Sequence, residues 1–503
     1  MTDAEPPLVR LQGEYMKHIV APLVTLFLAT ALTASPGKLI RHEQGVTNQY
    51  IVVLPDHTPV AAVDGLARSL AQSYGLELQE VWQYSLQGFL VVGPEANIVA
   101  LSDDPRVKYV EQNAIGTMPA ELSATQWTWY NGEYLWNLDR LDELSWASRD
   151  GTHNMCTEGR SGYAYVIDTG IYAHSEFETP SRVVEAYNFA GAPNGEVDTT
   201  NGCGTGYNNT YHGTAVASVL GGTRIGAAKP SLISLRIMGC DGTVNTRDMI
   251  EALDWIAGPS NTHRTSPGVM NHSGFVPVWD TNFQAYGDAV VRTVNNTNIP
   301  FFTSADNYAT DACRFSPNDR AYTRTNHTGR AFVVGGTSAG ADPNDYRWQE
   351  WINGSTPKIG AGGGSNGGAC VSIYAPACSV YVALKTGPND YFRLSGTSFA
   401  SPLAAAVAIR WMVTQQAQTG HIPAATEVYD FLINQSQTVV YNTATAPSYW
   451  MCVRPNTAGG WDERTYTATP GVCPTGFLGP YMFPFATNTS DARMLYWDEG
   501  ICW

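Results

Sequence analysis

Residues 163–171 read YAYVIDTGI, an apolar run through Ala164-Tyr165-Val166-Ile167 that closes on Asp168 and a Thr-Gly turn. A run without polar alternation fits a strand buried on both faces, which means a parallel sheet covered by helices. Similar runs recur at Leu232-Ile233-Ser234-Leu235-Arg236-Ile237, Pro300-Phe301-Phe302 and Ala331-Phe332-Val333-Val334, spaced by helical patterns and glycine-rich loops. From Trp136 to about Val440 the chain therefore reads as α/β, with a mostly parallel central sheet and helices on both faces. Open sheets of this kind place their sites outside the carboxyl ends of the strands, where Asp168 stands.

Residues 46–116 read as a separate small unit. Tyr50–Leu54 is strand-like. Val60, Val63, Leu66, Leu70 and Tyr74 recur at helical spacing and predict a helix over 59–75. Val81 to Val92 holds two strand-like stretches around Ser85-Leu86-Gln87-Gly88, a short helix follows near Asn97 to Ser102, and Tyr109–Gln112 closes as a strand. The order βαββαβ predicts a ferredoxin-like α+β domain. Residues 117–135 lack periodicity and read as a linker. Residues 441–503, rich in Thr, Pro and aromatics with three cysteines, read as an extension with a small β-rich subdomain of unknown role.

Lys and Arg number 29 against 45 Asp and Glu, a net charge of −16. That excludes the basic footprint demanded by nucleic acid and by an anionic membrane surface. Met16 to Pro36 opens with Lys-His, continues with an apolar run from Ile19 to Leu32 and ends in small residues. This is the layout of a secretory signal peptide, so residues 1–35 are expected to be removed, with translation starting at Met16 and no membrane association afterwards. The nine cysteines are then expected to form disulfides, and with no CxxC pair a zinc site is not expected. Nine is odd, so at least one is left out of the intrachain pairs.

Three motifs can carry chemistry. Asp168 lies in VIDTGI. His212 opens His-Gly-Thr-Ala-Val-Ala-Ser, a small-residue helix that ends at Gly221-Gly222. Ser398 lies in Ser-Gly-Thr-Ser-Phe-Ala-Ser-Pro at the start of an almost wholly apolar helix. Each has an ordinary structural reading, as a turn aspartate, a satisfied polar residue and a helix cap. Together they supply what nucleophilic acyl transfer needs: a carboxylate to orient an imidazole, an imidazole to take a proton and a hydroxyl to attack. Asn307, after the apolar strand Ile299–Phe302, is placed to donate to a developing oxyanion.

The motifs VIDTGI, YHGTAVAS and LSGTSFASP resemble those of the subtilisin-like serine proteases, most closely the proteinase K-like branch, over residues 46–440. The chain order Asp, His, Ser is that of subtilisin. The resemblance implies that Asp168, His212 and Ser398 form the triad and Asn307 the oxyanion donor. Ser273 and Gly274 would belong to a substrate-edge strand that pairs with an extended peptide. Residues 46–116 would be a propeptide that inhibits the enzyme, released by autocleavage between Gly116 and Gln126, and 120–440 the catalytic domain. It further implies disulfides Cys203–Cys240 and Cys313–Cys370; a Cys452–Cys473 pair is a further guess, and Cys156, Cys378 and Cys502 are left unassigned. The expected product is a secreted monomeric endopeptidase acting on protein or peptide substrates. No cofactor is expected for the chemistry, and structural calcium is compatible with the family.

The chain also departs from the family. Asp306 replaces the glycine usual before the oxyanion asparagine, at a wall of the pocket for the residue before the scissile bond. Ser372 stands where relatives carry a calcium-binding Asp, and Val276–Asn282 replaces much of the glycine-rich edge. The alternative reading, a catalytically inactive relative that binds peptides or inhibits, requires a broken triad. An esterase would need a G-x-S-x-G elbow, which is absent at Ser398. Activity is expected to rise as pH passes through the range in which a free imidazole deprotonates.

Overall fold

The computed structural model describes residues 38–42, 44–117, 122–123, 135–143, 153, 155, 157–177, 182–190, 196–197, 211–239, 243–274, 276–277, 284–338, 345–348, 351–352, 356–357, 362–384, 391–436, 440–441, 449–455, 461–467, 478–483 and 494–495. The expected signal peptide and the Cys203–Cys240 pair lie outside these residues, as do Cys156, Cys473 and Cys502.

The amino-terminal unit runs β1 (Gly45–Val53), α1 (Val60–Ser73), β2 (Glu77–Trp82), β3 (Gly88–Val92), α2 (Glu95–Ser102) and β4 (Tyr109–Thr117). The sheet order is β4-β1-β3-β2, with β1 antiparallel to both β3 and β4, the arrangement of a ferredoxin-like split βαβ. Leu39–Ile40 adds a short parallel strand beside β4, so the unit begins before residue 46. Val63, Ala67 and Leu70 of α1, one face at helical spacing, are buried against Val52, Phe89, Val91 and Val110 of the sheet.

The main body is built on β5 (Tyr163–Asp168), β6 (Val183–Asn188), α3 (His212–Gly221), β7 (Ser231–Arg236), α4 (Thr246–Ala257), β8 (Gly268–His272), α5 (Gln284–Thr297), β9 (Phe301–Ser304), β10 (Ala331–Thr337), β11 (Ile373–Pro376), α6 (Thr397–Thr419) and α7 (Ala425–Gln435). The sheet order is β11-β10-β9-β8-β5-β7-β6, extended at one edge by Glu196–Val197. All pairs are parallel except that last edge pair. The register joins Ala164 to Leu232 on one side and to Val269 on the other, so apolar side chains line up across three strands. Strand order reverses at β5, whose neighbours β7 and β8 lead to opposite halves. Open α/β sheets place their sites at the carboxyl ends of the strands at such a switch point.

Helix α6 is the central buried helix. Leu403, Ala404, Ala405, Val407, Ala408 and Ile409 are all at most 1% exposed, which explains a stretch that is apolar on every side. It ends at Gly420, whose φ of +73° is the left-handed cap that glycine adopts without a Cβ clash. A disulfide joins Cys313 to Cys370.

Two further segments tie the units together. The end of β4 pairs antiparallel with Thr243–Asn245, and Leu122–Ser123 pairs with Ser395 and Leu394. Residues 122–123 thus form a strand in a stretch the sequence reads as linker, because partners 270 residues away supply the ladder that local pattern lacks. Beyond α7, strands Tyr449–Pro455, Trp461–Thr467 and Leu478–Phe483 form an antiparallel sheet, and buried Met494 joins Tyr374 at the β11 edge.

Candidate active site

Asp168 ends β5, and the Thr-Gly turn after it lets the chain leave the sheet. Its carboxylate accepts from the amide of Thr169 at 2.7 Å. It also accepts from His212 Nδ1, at 2.8 Å to Oδ1 and 2.9 Å to Oδ2. Both side chains are at most 2% exposed. A carboxylate bridging Nδ1 fixes the ring plane and assigns the proton-accepting role to Nε2. Gly213 makes the approach possible: a Cβ there would meet Gly170 O at 2.4 Å and the Asp168 carboxylate at 3.1 Å. The Gly213 amide is held by Thr169 Oγ1 at 2.8 Å. The His-Gly-Thr opening of α3 is thus a steric requirement as well as a chemical one.

Ser398 is the second residue of α6, inside the first turn, where backbone amides have no helical acceptor. The His212 ring lies 6.4 Å, centroid to centroid, from the ring of the neighbouring Phe399. In this structure Ser398 Oγ donates to the carbonyl of Ser273 at 3.4 Å, not to the imidazole. Ser273 Oγ in turn donates to the Ser398 carbonyl at 2.9 Å, while Asn271 Nδ2 donates to Ser273 Oγ and Ser401 Oγ to Asn271 Oδ1. The residues just past β8 are therefore stitched to the first turn of α6. Ser273 and Gly274 follow the last β8–β9 pair, His272 with Thr303, so their backbone leaves the ladder beside the serine.

Asn307 is fully buried. Its Oδ1 accepts from the Thr397 amide at 2.9 Å and from Thr397 Oγ1 at 2.7 Å. Two donors on one end fix the amide orientation, so the NH2 end faces away from Thr397. That Nδ2 has no hydrogen-bond partner among the described residues. A Cβ placed on Gly396 would lie 3.5 Å from it and 3.8 Å from Ser398 Cβ, so the two groups flank one small space. An oriented, unused donor beside a serine hydroxyl is an arrangement able to hold a developing oxyanion.

Sequence reading missed His272. It is 1% exposed, accepts from Tyr286 Oη through Nδ1 at 2.6 Å and packs edge-on against that ring. Burial drives its pKa down to about 4; the Asp168 charge opposes that shift and His212 adds to it. Its signal was a histidine at the end of the buried strand β8, but the partner lies on α5 and no local pattern names it. Asp306, noted as a departure, is fully buried, has a φ of +76°, and neither carboxylate oxygen has a hydrogen-bond partner among the described residues. Burial pushes its pKa well above the carboxylate range.

Ser372 donates to Tyr322 O at 2.5 Å and accepts from the Val333 amide at 2.9 Å. It ties backbone to backbone and offers no carboxylate, so the calcium ligation of relatives does not fit this position. Among the described residues no three His, Cys, Asp or Glu side chains converge as a metal site.

The Subtilase family profile matches residues 165–459, which spans the sheet, both site helices and all four residues above. The chain belongs to the subtilase family, the S8 peptidases. It is similar to alkaline serine exoprotease A of Vibrio alginolyticus, 27% identical over 377 residues covering 73% of this chain and 61% of that protein. It is 29% identical over 398 residues to the extracellular serine proteinase of Thermus sp. strain Rt41A, covering 74% and 82%. The subtilisin-like serine protease Pen ch 13 of Penicillium rubens is 25% identical over 409 residues, covering 78% and 89%. The crystal structure of a cold adapted subtilisin-like serine proteinase is 27% identical, with 60% of this chain and 91% of that one covered at a TM-score of 0.45. The chain thus spans about three-fifths of the Vibrio relative's length.

Proposed function

We propose that this chain is a secreted serine endopeptidase, made as a zymogen, that hydrolyses protein and peptide substrates through Asp168, His212 and Ser398. The observation that carries the reading is the buried Asp168–His212 pair at 2.8 Å beside a serine whose neighbour Asn307 keeps an unused donor. Ser398 Oγ turns from the Ser273 carbonyl to His212 Nε2, a tightening expected when substrate completes the site. The hydroxyl gives its proton to Nε2 as oxygen bonds to the carbonyl carbon. The charge moves to the carbonyl oxygen, held by Asn307 Nδ2 and the Ser398 amide. The carbon–nitrogen bond then breaks as His212 returns the proton to the departing amine. Water repeats the sequence to free the acid and restore Ser398. Ser273–Gly274 pairs with the extended substrate backbone. The chemistry uses this chain's own residues and no cofactor, and the enzyme works as a monomer.

Residues 46–116 act as the inhibitory propeptide. Supporting this, Glu111 Oε2 accepts from the Ala285 amide at 2.8 Å and so caps α5, while Asp254 Oδ1 accepts from the amides of Tyr84 and Ser85 at 2.7 Å. Processing falls inside the window Gly116–Gln126: the chain is paired with Asn245–Thr243 up to Thr117 and with Ser395–Leu394 from Leu122, three residues before Ser398. The name of the Thermus relative supports secretion. A serine-directed phosphonate should label Ser398 alone, and Ser398→Ala should stay unprocessed near residue 120. A Ser398→Ala chain that matures unaided and digests casein overturns the reading.

A further inference from the structure

Asp306 carries two costs with no visible return. A non-glycine residue in the left-handed region is strained, and a buried carboxyl without partners forfeits its hydration. Neither cost is offset by a hydrogen bond to the carboxyl among the described residues. No salt bridge joins it to a cation among the described residues, and Arg320 is engaged by Asp319 at 2.7 Å and Asp288 at 3.3 Å. Asn318 holds the Ser304 carbonyl through Nδ2 at 3.2 Å, which leaves Asn318 Oδ1 without a donor, and Ser304 Oγ also lacks a partner among the described residues. Tyr286 on α5 borders the same region, close enough for an ionised Asp306 to add to the burial that holds its phenol pKa up. The end of β9 therefore holds a buried carboxyl that no group of the described residues satisfies.

That carboxyl belongs to the residue directly before Asn307. The β8–β9 ladder stops at His272–Thr303, and Ala305–Asn307 turns instead toward β10 and Asn366, through Ala305 N to Val334 O and Asn366 N to Asp306 O. Ser273–Gly274 and Ala305–Asn307 thus part beyond that pair, the first tied to α6 and the second to β10. A peptide whose carbonyl oxygen reaches Asn307 Nδ2 carries the side chain of that same residue one bond away, toward the place where these two segments part. We infer that Asp306 selects a lysine or arginine at the residue whose carbonyl Ser398 attacks. A guanidinium or ammonium brings the N–H donors and positive charge that the Asp306 carboxyl lacks. This inference rests on the peptidase reading and deepens it.

The test uses enzyme matured from the full chain and chromogenic peptides that differ only at that residue: Lys, Arg, Phe and Leu. For the wild type, kcat/KM on Lys and Arg should exceed that on Phe by at least about tenfold. In Asp306→Asn and Asp306→Gly the Lys-to-Phe ratio should fall by roughly a hundredfold. Glycine also relieves the left-handed strain, so that variant keeps the test valid if the amide variant folds poorly. Benzamidine should compete with substrate in the wild type and lose that effect in Asp306→Gly. A wild type that prefers Phe or Leu, or a Lys-to-Phe ratio unchanged in the variants, overturns the inference and leaves the peptidase reading intact. A wild type that cleaves none of the peptides and resists the phosphonate overturns both.

Discussion

The carbonyl oxygen of Ser398 accepts a hydrogen bond from Ser273 Oγ at 2.9 Å. In a regular helix that carbonyl would take the amide hydrogen of the residue four positions on, but that residue is Pro402, which has none. The proline in the Ser-Phe-Ala-Ser-Pro motif thus frees an acceptor in the first turn of α6, and a residue of the proposed substrate-edge strand fills it. The first turn of α6 and the residues just past β8 are thereby tied together.

Ser273→Ala should therefore loosen the site more than it destabilises the fold. The variant leaves the Ser398 carbonyl and Asn271 Nδ2 without their partner, a loss of about 1–2 kcal/mol. We expect kcat/KM to fall by roughly tenfold and the melting temperature by a few degrees. An unchanged kcat/KM would show that the stitch does not position Ser398.

Asn307→Ala removes the donor while sparing the Asp168–His212 pair. kcat should drop by about 10²–10³ with little change in KM, the scale of the corresponding loss in subtilisin. The variant also strips Thr397 of its acceptor, so Thr397→Val serves as a control. It keeps the Thr397 amide bond at 2.9 Å and loses only the hydroxyl bond at 2.7 Å. A far smaller fall in kcat is expected there. Equal losses in both variants would assign Asn307 to shaping the loop, not to holding charge.

The sheet was legible because its strands are buried on both faces and so read as unbroken apolar runs. Asp168, His212 and Ser398 were legible because glycines and prolines beside them are forced by close approach, as Gly213 is by Gly170 O at 2.4 Å. What escaped was non-local. Tyr109–Thr117 runs past the end its own pattern gives because its tail pairs with Thr243–Asn245. Leu122–Ser123 becomes strand through Ser395 and Leu394. The isolation of Asp306 depends on which groups fold around it, and no spacing along the chain encodes that.

His272 gives the fold a specific acid sensitivity. Its ring is fully enclosed and neutral, accepting from Tyr286 Oη at 2.6 Å, with burial holding its pKa near about 4 against 6.5 in the open chain. The facing charges are Asp168, which favours protonation, and His212, which opposes it. Between those two values the unfolded chain binds a proton that the folded chain refuses, so stability is present above pH 6.5 and is lost as pH falls toward 4. Below about 4 both states are protonated and this residue adds no further loss. The full swing is on the order of 3 kcal/mol. His272→Gln keeps an acceptor for Tyr286 but cannot titrate. Urea midpoints measured from pH 7.5 to 3.5 should fall more steeply for the wild type than for this variant between pH 6.5 and 4, and run parallel below. Curves that stay parallel across the whole range would mean that His272 titrates alike in the folded and unfolded chains, and that its burial beneath Ser273–Gly274 carries no protonation cost.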